Sequence, residues 1–311
     1  MNYAVKKGDT MNDFHNIIKE ICKKNNIKIN ILSEGWIISL EKNNIKKFIT
    51  GYKFDNNTHA LGEILDDKYG TYEILKLYNI PVCDYNIVYS PLNKNDYAIK
   101  YNSLEYVTNL FNKYNHNIVF KINNGTCGNN VNKITTIEEL KEKFLNLKPT
   151  STYSISPYYE IINEYRVIVL NKNIELMYKK ELPIVYGDGK KSIKELLLEF
   201  NYEYFSKIND EKLEKILEQD EKYVYSWKFN LSQGSRASFD INEEDKEEIK
   251  KIVNQVFDIG FCSIDIIKTI DNKYMVLEIN SGIMMKNLME EYGNEIAKKI
   301  YEKAILSMFK E

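Results

Sequence analysis

Arginine is almost missing from this chain: of its 43 basic residues, only Arg166 and Arg236 carry a guanidinium. Lysine is the default cation. An arginine kept against that bias is a candidate for a bidentate, permanently charged fork of the kind that recognises phosphate or carboxylate, with chance as the plain alternative for each. Histidine is nearly as scarce. His15, His59 and His116 sit in no motif with chemistry, which counts against His-based hydrolysis and against zinc. The four cysteines, Cys22, Cys83, Cys127 and Cys262, lack metal-type spacing and are scattered along 311 residues, so reduced thiols are expected rather than a disulfide framework. No apolar run approaches the length of a membrane span and residues 1–13 are polar, so no membrane segment or signal is expected, and a cytoplasmic location is. A net charge of −2 removes any global electrostatic basis for binding nucleic acid or an anionic membrane. Internal repeats and low-complexity tracts are absent too.

What is present is an ordinary globular composition, 43% hydrophobic and 28% charged, long enough for two or three compact units. Phe14, Ile17, Ile18, Ile21 and Cys22 fall at helical spacing, which predicts an amphipathic helix over 12–24, followed by strands over 29–32, 36–40 and 47–52. Together these read as a small N-terminal α/β unit. Asp67-Lys68 precedes a helix over 71–78, and a strand follows at 85–89. Next come a helix over 103–114 with Leu104, Val107, Leu110 and Phe111 on one face, a strand over 117–122 and a glycine loop. Thr136-x-x-Glu139 is a capping box that opens another helix. Strands over 165–170 and 175–179, the turn Gly187-Asp188-Gly189 and a helix capped by Ser192-x-x-Glu195 follow. Ser206 to Lys222 reads as an exposed helical excursion, and 286–309 as one terminal helix, the first place to look for a homodimer seam.

The most informative stretch is 260–282, GFCSIDIIKTIDNKYMVLEINSG, which reads as a hairpin turning at Asp271-Asn272. That register sets Asp265 opposite Glu278. Alternation adds Asn280 to the same face and sends Ile264, Ile266, Leu277 and Ile279 to the other. Opposed carboxylates repel unless a cation, a shared proton or water intervenes. Two carboxylates and an amide oxygen are hard ligands, too few to fill the shell of Mg2+, which keeps positions for water or phosphate oxygens. A solvent-facing acidic strand is the bland alternative. Asn123-Asn124-Gly125-Thr126-Cys127-Gly128 can turn several backbone N–H groups to one point and cradle a phosphate, or it is simply a hairpin turn. It matches neither G-x-x-x-x-G-K-[ST] nor G-x-G-x-x-G. Lys121, ending the strand before it, is a point charge for phosphate or a surface lysine. Cys127 reads as a loop residue offering its N–H, not as a nucleophile.

The order of these motifs resembles the ATP-grasp superfamily: Asp67-Lys68 before a helix, IVFK before the glycine loop, Glu164-Tyr165-Arg166-Val167 on a strand, Gly187-Asp188-Gly189, Asn230-Leu231-Ser232-Gln233-Gly234, then Asp265 and Glu278-x-Asn280. The Gly-Asp-Gly and Asn-x-x-x-Gly segments are most similar to the cyanophycin synthetase, glutathione synthetase and RimK-like ligases, and the resemblance spans about 67–287. It implies an α+β fold, two α+β subdomains gripping ATP behind a small α/β N-terminal domain, with boundaries at 1–66, 67–155 and 156–311. It further implies that Lys68 and Lys121 hold the phosphates beneath a lid of Gly125, Thr126, Cys127 and Gly128. Asp265, Glu278 and Asn280 would bind Mg2+, with Mn2+ as a substitute. Arg166, Asn230 and Arg236 would face the γ-phosphate and an acyl phosphate, and the segment from Ser156 with Tyr158, Tyr159 and Glu160 would line the adenine site. At Pro157 or Tyr158 the family often has an acidic residue, so the hinge departs from the pattern. The implied activity is an ATP-dependent carboxylate-amine ligase acting on an amino acid or peptide. An ATP-binding scaffold without turnover and a metal hydrolase that does not use nucleotide are the alternatives.

Overall fold

The computed structural model describes residues 10–125, 128, 130–200, 205 and 211–310. Helix α1 (Thr10–Lys24) buries the stripe its spacing predicts, Phe14, Ile17, Ile18, Ile21 and Cys22. It lies on an antiparallel meander of β1 (Lys28–Leu32), β2 (Ile37–Lys42), β3 (Ile45–Thr50) and β4 (Lys53–Phe54). Asn43 and Asn44 turn β2 into β3, both at positive φ, a conformation asparagine tolerates well. This unit has no core of its own. Phe14, Ile18 and Leu40 join Ile168, Phe261, Tyr301 and Ile305 in one apolar cluster, so packing runs unbroken across residue 66.

Helix α2 (His59–Asp66) was not foreseen; it is two turns long and fully buries only Leu65. Helix α3 (Lys68–Leu77) starts three residues before its expected first residue, because the Asp67 carboxylate accepts the Gly70 N–H at 2.6 Å and caps it. The second unit comprises β5 (Asn86–Tyr89), α4 (Leu104–Lys113), β6 (Ile118–Ile122), β7 (Asn132–Ile134), α5 (Ile137–Leu145) and β8 (Thr152–Pro157). Its sheet has the order β5-β8-β6-β7. Val107, Leu110, Phe111, Leu140 and Phe144 of the two helices meet Ile118, Phe120 and Ile155 in a core of its own. Leu104, expected on that face, stays 37% exposed at the first turn of its helix. Thr136 and Glu139 form the reciprocal capping box read from the sequence.

Strands β9 (Ile161–Leu170) and β10 (Asn173–Glu181) begin the third unit. The chain then leaves the sheet through β11 (Ile184–Tyr186), α6 (Ile193–Phe200) and β12 (Lys222–Val224), which gather a small cluster of Val185, Ile193, Leu197 and Leu217. Of the excursion expected to be helical over 206–222, residues 206–210 lie outside the described residues. Glu211–Glu214 form a single 3-10 turn, and Leu217 is buried. The chain rejoins the sheet as β13 (Arg236–Ser238) and continues through α7 (Glu243–Gln255), β14 (Phe261–Thr269) and β15 (Tyr274–Asn280). The five strands pair in the order β13-β10-β9-β14-β15.

One face of this sheet packs under α7, where Ile249, Ile252 and Val253 meet Tyr165, Val167, Ile264 and Ile266. The other face is shared between the N-terminal cluster and a cleft facing the second unit. The expected single terminal helix breaks at Gly293, whose φ of 84° suits glycine, into α8 (Lys286–Tyr292) and α9 (Asn294–Ser307). The apolar side of α9, Ala297, Ile300, Tyr301, Ala304 and Ile305, is buried in the cluster shared with α1. Among the described residues no helix is long and apolar enough to cross a membrane, and Cys22, Cys83 and Cys262 are free and buried.

Candidate active site

The hairpin has the register read from the sequence at its functional end: Ser263 pairs with Asn280, Ile264 with Ile279, and Asp265 with Glu278. Nearer the turn it slips. Ile266 faces Val276, which leaves Leu277 as the extra residue of a bulge. Leu277, assigned by strict alternation to the apolar face, therefore lines the cleft beside Glu278. Its carbonyl accepts the Tyr85 hydroxyl at 2.9 Å.

Across the strands, Glu278, Asp265, Arg166 and Tyr178 stand side by side as one rung of the cleft floor. The protein supplies a separate cation to each of the opposed acids, Lys68 to Glu278 and, from the other side, Arg166 and Lys180 to Asp265. Arg166 grips Asp265 with both Nε (2.8 Å) and Nη2 (2.7 Å), and Lys180 donates to Asp265 Oδ2 at 2.9 Å and to Glu164 at 2.5 Å. Burial alone would push the Asp265 carboxyl up, but Arg166 and Lys180 outweigh it and hold the group well below the usual carboxylate range. Glu164, buried on the same face, is pushed up by desolvation.

Over the β15 end stand two further lysines. Lys68, in the first turn of α3, has its ammonium 2.6 Å from the Gly125 carbonyl and 3.6 Å from Glu278. Lys121 reaches out of β6 to the Tyr85 hydroxyl at 2.8 Å. Burial lowers its pKa to about 8, with Glu278 pulling the other way. Glu278 itself is lowered: its burial is outweighed by Lys68 and Lys121. The glycine loop is anchored at its stem by Asn123, whose side chain accepts the Tyr69 N–H at 3.0 Å. Gly128 sits against Asn230, at a φ of 66° and so close that a Cβ would come within 2.5 Å of the Asn230 amide. Asn230 in turn accepts the Ser232 N–H, which fixes the short turn 231–233. Tyr158 meets Trp227 edge-on at 5.5 Å, with the Lys133 ammonium 3.6 Å from the Tyr158 ring centre. Lys68, Lys121, Gly128, Tyr158, Trp227 and Asn230 enclose, over the Glu278–Asp265–Arg166–Tyr178 rung, one cavity of about 270 Å³.

Residues 222–304 match the family model described as a RimK-like ATP-grasp domain. The bifunctional glutathione synthetase of Pasteurella multocida is similar in structure over 92% of this chain, with a TM-score of 0.52 and 16% identity. The chain has the ATP-grasp fold. It spans only 43% of that synthetase. A D-cycloserine synthetase is similar at a TM-score of 0.49 and 14% identity, over 82% of this chain and 73% of its own. The D-alanine–D-alanine ligase of Bacillus anthracis is similar at 0.47 and 13%, over 78% and 68%. No curated protein matches the sequence.

The ATP-grasp cleft gathers Lys68, Lys121, Gly125, Gly128, Tyr158, Tyr159, Arg166, Asn230, Asp265, Glu278 and Asn280. Thr126 and Cys127 lie outside the described residues. Glu160 is exposed and does not line the cavity. Arg236 is not brought to it either. It pairs with Glu181, while its neighbour Ala237 pairs with Lys180, so alternation turns Arg236 to the face opposite the cleft. Glu164, Lys180 and Tyr85 join the site without a role assigned to them by the sequence. Glu164 was within reach, since it lies two residues before Arg166 on a strand and therefore shares its face.

The donor set suits Mg2+ only in part. Among the described residues no group of three or more His, Cys, Asp or Glu could hold a metal alone. Glu278 and Asn280, whose side chains lie 3.3 Å apart, are hard oxygen donors at the cleft. Asp265 has roughly four acceptor positions, of which Arg166 and Lys180 use three, so Oδ1 keeps one. Such a partial shell fits a cation that keeps the rest of its ligands as water and phosphate oxygen.

Proposed function

We propose that this protein is an ATP- and Mg2+-dependent carboxylate-amine ligase that forms an amide or peptide bond on an amino acid or peptide through an acyl phosphate. The observation that carries the reading is the apposition of Lys68 and Lys121 with the Glu278–Asp265–Arg166 rung, four cations counting Lys180 against three carboxylates counting Glu164. A buried surplus of positive charge in a cavity is matched to a polyphosphate.

The ATP phosphates would lie between Lys68, Lys121 and the Gly125–Gly128 loop, with the adenine toward Tyr158 and Tyr159. Glu278, Asn280 and the spare Oδ1 position of Asp265 would hold Mg2+, which neutralises β- and γ-phosphate charge when bound; Mn2+ has the same ligand preferences. Arg166, immobilised by Asp265, presents its remaining donors to the oxygens of the transferring phosphoryl group. A carboxylate oxygen of the substrate attacks the γ-phosphorus as the bond to the β-bridging oxygen breaks, giving acyl phosphate and ADP. The amine then attacks the acyl carbon, and inorganic phosphate leaves. Neither step needs a protein nucleophile, in keeping with a site built of fixed charges. Asn230, touching the loop at Gly128, would report loop closure to the acyl end.

The test is ADP release by the purified protein with Mg2+-ATP and a panel of carboxylates and amines. ADP and phosphate formed in step with a new amide support the ligase. Saturable ATP binding with no ADP under any pairing supports the scaffold reading, and metal-dependent hydrolysis without ATP supports the hydrolase.

A further inference from the structure

We infer that the end of the cleft beyond Arg166 is a pocket for an apolar side chain, so that the activated carboxylate belongs to a hydrophobic amino acid or to a peptide ending in one. This rests on the ligase reading and names its substrate class.

The strand register lets the floor be read rung by rung. One rung runs Glu278, Asp265, Arg166, Tyr178; the next runs Asn280, Ser263, Ile168, Leu176. The first changes from acid at β15 to aromatic at β10 within the cleft, whereas the second leaves it: Asn280 and Ser263 line the cavity, and Ile168 and Leu176 lie in the N-terminal apolar cluster. Lys68, 3.6 Å from Glu278 and 2.6 Å from the Gly125 carbonyl, stands over the β15 end, and Lys121 joins it there through Tyr85, which bonds the Leu277 carbonyl. At the β10 end, Tyr178 shares a buried cluster with Met285 and Leu288, and Leu231 packs against it. Met284, 37% exposed, lines the same cavity at its rim. Asn287 donates to the Leu231 carbonyl at 3.0 Å and so ties the returning excursion to α8, closing the wall.

Arg166 divides the two halves. Its Nε and one Nη2 proton are taken by Asp265, which leaves three donors to share between the transferring phosphoryl group and the substrate carboxylate that attacks it. A carboxylate held there has the phosphates on one side and Tyr178, Leu231 and Met284 on the other. Lys180 and Arg166 together balance the charges of Glu164 and Asp265, and those four groups are held on one another. A Glu or Lys side chain would be desolvated against Tyr178, Leu231 and Met284, whereas an apolar one gains burial there.

Hydroxylamine can replace the unidentified amine, trapping any acyl phosphate as a hydroxamate. With Mg2+-ATP, leucine, methionine, phenylalanine and dipeptides ending in them should give kcat/KM values at least about tenfold above those of their Glu, Asp, Lys and Arg counterparts. Met284→Asp should lose about tenfold on the apolar set alone, with ATP affinity by calorimetry kept as the check that the protein is folded. Charged carboxylates activated as well as apolar ones, or an equal loss on all substrates in Met284→Asp, would overturn the inference and leave the ligase standing. ATP binding without hydroxamate from any carboxylate would overturn both.

Discussion

Tyr165 and Arg166 are neighbours on β9 and face opposite ways, and each ends on a buried aspartate. Behind the sheet, Asp245 in the first turn of α7 accepts from the hydroxyls of Tyr165 and Tyr274 and from Lys268 at 2.8 Å. One carboxylate, one ammonium and two phenols close on each other under a helix. Burial pushes the Asp245 carboxyl up, and its three donors more than compensate. In front of the sheet, Asp265 belongs to a set with an excess of cations, an acceptor position to spare and an open cavity beside it. Buried charge that serves the fold is matched group for group and sealed. The front cluster keeps unused valence of both signs, which a structural ion pair has no reason to keep.

The sharpest way to break that comparison is to neutralise each aspartate in turn. Asp265→Asn should cut ligase turnover by about 100-fold or more, since it loosens Arg166 and removes a metal ligand together. Asp245→Asn should instead cost about 3 kcal/mol of stability in urea denaturation, because Lys268 is left without its carboxylate, while ATP affinity in the folded protein stays within about twofold. Turnover surviving in the first variant, or ATP binding lost from folded Asp245→Asn, would erase the distinction between the faces.

Lys121 gives the next largest effect, and a pH signature. Lys121→Met should weaken ATP binding by about tenfold or more. It should leave the unliganded protein at least as stable as before, because the variant no longer buries an ammonium. The folded pKa of about 8 lies below the unfolded value of roughly 10.4. Between those values the unfolded chain holds a proton that the folded chain has released, so stability of the unliganded protein rises with pH across that window. Below pH 8 this group contributes no slope. Phosphate favours the ammonium, so ATP affinity should fall by about tenfold from pH 7 to pH 9, with proton uptake on binding at the higher pH. Calorimetry in two buffers of different ionisation enthalpy measures both, and Lys121→Met should flatten the profile. A profile unchanged in that variant would assign the titration elsewhere.

The two faces also differ in how much of them the sequence discloses. Asp265, Glu278 and Asn280 were legible because a turn centred on Asp271-Asn272 sets them opposite and on one face, although the strands beside that turn pair one residue off this register and the bulge at Leu277 restores it. The side of Leu277 was not, because the bulge that turns it into the cleft is tied to Tyr85, 192 residues away. Lys180 reaches Asp265 only through the pairing of β10 with β9, and no local pattern announces that pairing. Helix α7, not among the expected elements, has clear local signals: the Asn242 cap, three acids in its first turn and Ile249, Ile252 and Val253 at helical spacing. That Lys68 and Lys121 face the rung depends on how two sheets pack. Only the order of motifs, through its resemblance to ATP-grasp ligases, pointed there.

The arginines make the finest comparison, since scarcity alone recommended both. Arg166→Lys keeps the charge and loses the two-pronged grip on Asp265, so turnover should fall by about tenfold or more while the protein still binds ATP. Arg236 lies one residue out of phase with the cleft, paired with Glu181 on the edge strand and exposed. Arg236→Lys and Arg236→Ala should therefore leave ATP affinity, KM and kcat within about twofold, the ordinary range for a surface substitution. A fall in kcat at Arg236 comparable to that at Arg166, with ATP affinity unchanged, would mean that β13 turns over when substrate binds, bringing the second guanidinium to the acyl phosphate and making rarity a better guide than strand phase.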